Sequence, residues 1–114
     1  MTSAEFRRIA LSMPDAIESS HMNHPDFRAG GRIFATLNED ETRGMVSLTP
    51  EQQAEFVHDE PKMFEPVPGG WGRRGATSVM LRSAKAPAVR IAMETAWRNA
   101  TTKPVRPVRK RPPG

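Results

Sequence analysis

Two adjacent glycines, Gly30 and Gly31, stand between two short runs of strand-forming sequence, residues 26–29 and 32–38. A two-residue reversal between antiparallel strands needs positive φ at both positions, where a Cβ collides with the backbone and glycine does not. On the second run Ile33, Ala35 and Leu37 alternate against Phe34 and Thr36, the period-two pattern of a half-buried strand. The diglycine therefore predicts a β-hairpin. A chain that makes a tight hairpin this early is committed to a sheet that is at least partly antiparallel.

The flanking segments extend that sheet and cover it. Upstream, Thr2 and Glu5 have capping-box spacing, and Phe6, Ile9, Ala10 and Met13 form one apolar helical stripe that Pro14 ends. Downstream, Val46 and Leu48 share a face of a third strand. Thr49, Pro50 and Gln52 are an N-cap, a first-turn proline and a capping-box partner, so a helix follows and runs until Pro61. The stretch MFEPVPGGWGRRG is rich in proline and glycine, which confines any strand there to a sheet edge and reads as a hairpin loop with Trp71 packed down on that edge. Residues 77–81 alternate again. Val89, Ala92, Met93, Ala96, Trp97 and Ala100 mark a last amphipathic helix that tolerates Pro87 in its first turn. The expected order is helix, two or three strands, helix, one or two strands, helix. This is an α+β single domain, mainly antiparallel sheet with helices packed on one face.

Size and charge bound the rest. A chain of 114 residues supports one core, because roughly two-thirds of its surface can be buried. With no cysteine, disulfides, thiolate metal sites and cysteine nucleophiles are excluded. The first eighteen residues carry Glu5, Arg7, Arg8 and Asp15 and no continuous apolar run, so they are neither signal peptide nor membrane span, and a cytoplasmic location is expected. The formal net charge is +4, but Lys103, Arg106, Arg109, Lys110 and Arg111 all lie in an acid-free tail. Removing those five from seventeen basic residues leaves twelve against thirteen acids, a body of charge about −1. Residues 1–100 are expected to form the domain, and residues 101–114 a basic, proline-rich tail of flexible, partly polyproline-II character.

Several constellations could carry chemistry. His21, His24 and Asp26 are a possible metal set, although Pro25 forbids the helical spacing that would converge two imidazoles, and turn histidines facing solvent are the simpler reading. Gly70, Gly72 and Gly75 match G-x-G-x-x-G, yet a dinucleotide site needs a buried strand entering and a helix leaving, whereas a proline-rich stretch enters and a strand pattern leaves. In the same loop Arg73 and Arg74 flank Trp71, which suits phosphate contact beside base stacking. The loop at residues 38–44 carries Glu39, Asp40 and Glu41 and would repel a phosphate backbone. The basic tail offers sequence-blind phosphate contacts, or solubility alone, and Pro104 and Pro107 form a minimal polyproline-type ligand. Met22, Met45, Met63, Met80 and Met93 are core filler, and His58 closes a helix beside Asp59 and Glu60. No nucleophile elbow, zincin motif or phosphate-binding loop is present, and Asp15, Glu18 and Asp26 are separated by turns, so no enzyme, cofactor or metal is expected.

The segment ALSMPDAIESSHMNHPDFRAGGRIFATL resembles the opening of the MmcQ/YjbR-like family. The likeness rests on Leu11-Ser12-Met13-Pro14, Glu18, the His24-Pro25-x-Phe27 step, Gly31 to Ala35, and a later Gly70-Trp71 before the last strand and helix. That resemblance implies a mostly bacterial family, an α+β domain with antiparallel sheet and protruding hairpins likened to a double-wing DNA-binding motif, and no catalytic residues. Arg32 stands where the family usually has lysine. The acidic loop departs from a two-winged grip, and the basic tail lies outside the family region.

The function expected is weak, non-specific nucleic-acid binding through phosphate contacts, with Arg73, Arg74 and the five tail cations as contacts and Trp71 as stacking group. The alternative is a non-catalytic small-ligand or protein-interaction module in which Trp71, Phe27 and apolar neighbours line a groove.

Overall fold

The computed structural model describes residues 1–102. The element order is α1 (Ser3–Leu11), β1 (Ile17–His21), β2 (His24–Ala29), β3 (Arg32–Leu37), β4 (Arg43–Ser47), α2 (Pro50–Asp59), β5 (Phe64–Pro66), α3 (Gly70–Arg73), β6 (Ala76–Met80), a 3-10 turn (Leu81–Ser83) and α4 (Ala86–Thr101). Both capping boxes form. Thr2 accepts from the Glu5 N–H at α1 while Glu5 accepts from the Thr2 N–H, and Thr49 and Gln52 do the same at α2.

All six strands pair antiparallel in the order β1-β2-β3-β4-β6-β5. Gly30 and Gly31 take φ of 61° and 80° and turn β2 into β3, as their sequence requires. A second two-residue turn precedes it: Met22 and Asn23, with φ of 53° and 69°, join β1 to β2. Strand β1 is therefore an addition to the expected order, giving four strands before α2. Its residues, IESSH, are exposed throughout and carry no alternation to announce it. Met22 is correspondingly 79 % exposed at the turn and is not core filler, whereas Met63 and Met93 are buried.

The alternation expected on β3 is also corrected. Phe27 faces Ala35 but Arg28 faces Ile33, so Phe34 is an extra residue opposite β2, a β-bulge. The bulge sends Phe34 into the core, where it is fully buried, and turns Ile33 out to the other face, 39 % exposed.

One sheet face is covered. Cross-strand neighbours Phe27, Ala35, Val46 and Thr77 lie in one row, and Leu37, Gly44, Val79 and Phe64 in the next. Onto them pack Phe6, Ile9 and Ala10 of α1 and Val89, Ala92, Met93 and Ala96 of α4. Phe6 meets Phe27 edge to face at 6.3 Å, and it lies so close to Gly44 that a Cβ there would stand 2.5 Å from its ring. Each such phenylalanine contributes about 1.5–3 kcal/mol by leaving water. Helix α2 exposes most of its length but leans Phe56 against Phe64, 5.4 Å between centroids. Trp97 donates its indole N–H to the Pro14 carbonyl at 2.9 Å, tying α4 to the turn after α1.

Candidate binding face

The opposite face of the sheet, away from α1 and α4, carries the short α3 over part of its area and, among the described residues, no longer helix. Along one row of it run Ser19, Asp26, Thr36, Met45, Ser78 and Glu65, one residue from each strand. Over part of this face the chain folds back between β5 and β6. Val67 bonds its N–H to the Ala76 carbonyl, and α3 follows, so that a hollow of about 390 Å³ opens between Ile33, Met45, Val67, Trp71 and Ala76. A neighbouring hollow of about 310 Å³, between His21, His24, Asp26 and Met22, shares Ile33 and Thr36 with the first.

The glycine-rich segment is held by packing. It does not form the expected hairpin loop: residues 70–73 coil into one helical turn. Gly72 touches the Val67 backbone so closely that a Cβ would fall 1.6 Å from the Val67 carbonyl oxygen. At Gly75, with φ of 113°, a Cβ would fall 1.9 Å from the Leu48 carbonyl oxygen. From α2, Gln53 donates its amide to the carbonyls of both Gly72 (3.0 Å) and Ala76 (2.9 Å). The G-x-G-x-x-G spacing thus serves close backbone approach at Gly72 and Gly75, and the helix it opens is four residues long.

This frame presents Trp71 outward, 68 % exposed, as the wall of the larger hollow and not packed down on the edge. The Arg74 guanidinium lies 5.7 Å from the centre of its indole, within cation–π range. Arg73 is exposed beside it, and among the described residues neither arginine enters an ion pair. Arg43 borders the same face between Asn38 and Met45. The sequence marked Arg43 only as the lone cation of the acidic loop and Gln53 not at all, because their roles depend on strand register and on a helix docked far along the chain.

The other candidates are dispersed or engaged. His21 and His24 are cross-strand partners beside the Met22–Asn23 turn, both exposed. Asp26 is 2 % exposed and its two oxygens accept from Arg28 Nε (2.8 Å) and Nη2 (3.1 Å). Those hydrogen bonds, with the attraction of the carboxylate, raise the Arg28 pKa above its usual value. Among the described residues no three His, Asp or Glu side chains come together to hold a metal ion. Phe27, expected to line a groove, is wholly buried under α1 on the opposite side of the sheet. In the acidic loop Asp40 accepts from the Thr42 hydroxyl (2.7 Å) and N–H (3.2 Å), which lowers its pKa. Glu41 reaches Arg7 at 3.6 Å, and Arg7 also bonds Glu18 at 3.0 Å. Lys103, Arg106, Arg109, Lys110 and Arg111, with Pro104 and Pro107, lie outside the described residues. Among the described residues no helix is long and apolar enough to cross a membrane.

The fold is an α+β domain with an open six-stranded antiparallel sheet, covered on one side and hollowed on the other. The chain belongs to the YjbR family, whose sequence profile matches residues 11–99. Among solved structures it is similar to DR2400 of Deinococcus radiodurans, a protein with a DUF419 domain. That pair is 18 % identical with a TM-score of 0.73, covering 90 % of this chain and 80 % of that one. It is also similar to a protein of Pseudomonas syringae, at 14 % identity and a TM-score of 0.67, covering 88 % and 99 %. No curated protein matches it. At these identities the likeness is one of fold.

Proposed function

We propose that this domain is a non-catalytic, cytoplasmic binding module that takes nucleic acid weakly on its uncovered sheet face. A base stacks on Trp71 while Arg73, Arg74 and Arg43 meet phosphates. The observation that carries this reading is the exposed indole with a guanidinium against it, set at the rim of a hollow and held by Gln53 and the Gly72–Val67 contact. A flat aromatic face accepts any base, and stacking of this kind is worth about 1–3 kcal/mol per base. Arginines that meet phosphate add affinity without sequence preference, and the five tail cations add to it in the same way. A body of charge about −1 limits the strength of the interaction at physiological salt.

The test is a titration of labelled single-stranded and duplex oligonucleotides at two salt concentrations. It compares the full chain with one ending at Thr102, with Trp71→Ala and with Arg73→Ala/Arg74→Ala. Trp71→Ala is expected to weaken single-strand binding by roughly five- to 150-fold. The arginine pair should flatten the salt dependence by about 1.4 in log–log slope on single strands, from roughly 0.7 per phosphate contact. If every protein ignores both oligonucleotides at low salt, the reading fails. If only removal of the tail abolishes binding, the sheet face is not the reader.

One observation favours a second reading. The lining of the 390 Å³ hollow is mostly apolar, Ile33, Met45, Val67 and Ala76 beside Trp71, which suits a small apolar ligand or a protein side chain. Binding there would be insensitive to salt and would survive loss of Arg73 and Arg74.

A further inference from the structure

The two edges of this sheet are built differently. Strand β5 is three residues long and ends in Pro66, devices that blunt an edge against pairing. Strand β1 is five residues long, exposed throughout, and contains neither proline nor lysine. The turn at Met22 and Asn23 makes the flanking His21 and His24 a hydrogen-bonded pair, and bonding alternates along an antiparallel ladder. Ser19 and Ile17 therefore direct their backbone groups at β2, while Ser20 and Glu18 direct theirs outward. Pro25, opposite Ser20 at a non-bonded position, agrees with that alternation.

We propose that β1 pairs antiparallel with β1 of a second copy of this chain, about a two-fold axis at Ser19, making one continuous sheet across the dimer. In this register Glu18 of each copy exchanges both backbone hydrogen bonds with Ser20 of the other, so the outward groups are used and none is left over. Ser19 meets Ser19, and Ile17 meets His21. No like charges are opposed, and Glu18 keeps its ion pair with Arg7 on its own helix. The register also brings two of the most exposed apolar side chains, Ile17 (61 %) and Met22 (79 %), against the second copy, with Met22 opposite Ala16. A second copy fits better than a foreign strand because the edge complements itself. The blunted β5 edge stops growth at two. The pairing is independent of what the open sheet face binds.

Three measurements on the full chain test this. Sedimentation over a wide concentration range should show a reversible monomer–dimer equilibrium. Ser20→Pro removes an outward N–H without touching the β1–β2 ladder, so it should abolish the dimer while leaving the thermal midpoint of the monomer nearly unchanged. The chain has no cysteine, so Ser19→Cys supplies a single thiol, with its Cα about 4.5 Å from its counterpart in a non-bonded pair. That separation lies within disulfide range, about 4.4–6.8 Å. Oxidation should trap a disulfide-linked dimer far faster than for Ser83→Cys, on the exposed turn after β6. A protein that stays monomeric at every concentration would overturn the proposal, and so would a dimer that survives Ser20→Pro or cross-links no faster through position 19 than through position 83.

Discussion

Replacing Gly72 by alanine separates the packing account of the glycine-rich segment from any phosphate-binding account. Two effects oppose each other. Alanine is the better helix former by about 1 kcal/mol, and Gly72 has no positive φ to forbid it. Against this, the new methyl would stand 1.6 Å from the Val67 carbonyl oxygen and 2.8 Å from its carbon, both backbone atoms that cannot swing aside. To restore even a tight 3.0 Å contact, α3 and the Val67 strand end must part by at least about 1.4 Å. That displacement stretches the 3.0 Å bond from Gln53 to the Gly72 carbonyl and the 3.0 Å bond from Val67 to Ala76 beyond hydrogen-bonding range. Overpacking costs about 1–3 kcal/mol and each lost bond about 0.5–1.5. The packing terms win, for a net loss of about 1–5 kcal/mol. Urea unfolding followed by far-UV circular dichroism reads it directly, and the melting temperature should fall by about 4 °C for each kcal/mol. Gly70→Ala is the control, because its Cβ meets nothing nearer than the Arg73 guanidinium at 3.8 Å, and it should be neutral or slightly stabilising. If Gly72→Ala matches or exceeds the wild type in stability, the close approach to Val67 is not a constraint and the reasoning is wrong.

The same geometry supports three further expectations. Gln53→Ala removes the donor to two carbonyls and should cost about 1–3 kcal/mol, with Trp71 fluorescence shifting as α3 loosens; unchanged stability and emission would show that the clamp is idle. Phe34→Ala should cost about 3–5 kcal/mol and Ile33→Ala under about 1, the reverse of what uninterrupted alternation on β3 implies, as denaturation of the pair will reveal. The Asp40 carboxyl should titrate below an ordinary aspartate and return towards the usual range in Thr42→Val, followed by NMR. Because its folded pKa is depressed, its contribution is present above the unfolded value and fades as pH falls through the folded one.

Local chemistry and long-range packing divide this protein cleanly. The sequence by itself determined what is decided within a few residues. Glycine's freedom at φ of 61° and 80° set the β2–β3 hairpin, two threonine capping boxes and a first-turn proline set the starts of α1 and α2, and apolar spacing set the buried stripes of α1 and α4. The absence of cysteine likewise needs no fold to be read. Tertiary structure alone decided the rest. Strand β1 has no apolar rhythm and exists because a turn and a neighbouring strand offer its backbone partners. The β3 bulge places Phe34 in the core, and it turned Ile33 from a core residue into the wall of a hollow. Phe27 and Trp71 looked equally eligible for a groove, yet strand parity buried one while a backbone contact between Val67 and Gly72 held the other in solvent. Side-chain periodicity reports which residues share a face, but which face is covered depends on helices that arrive from distant parts of the chain. That is a property of the packed molecule and of no single segment.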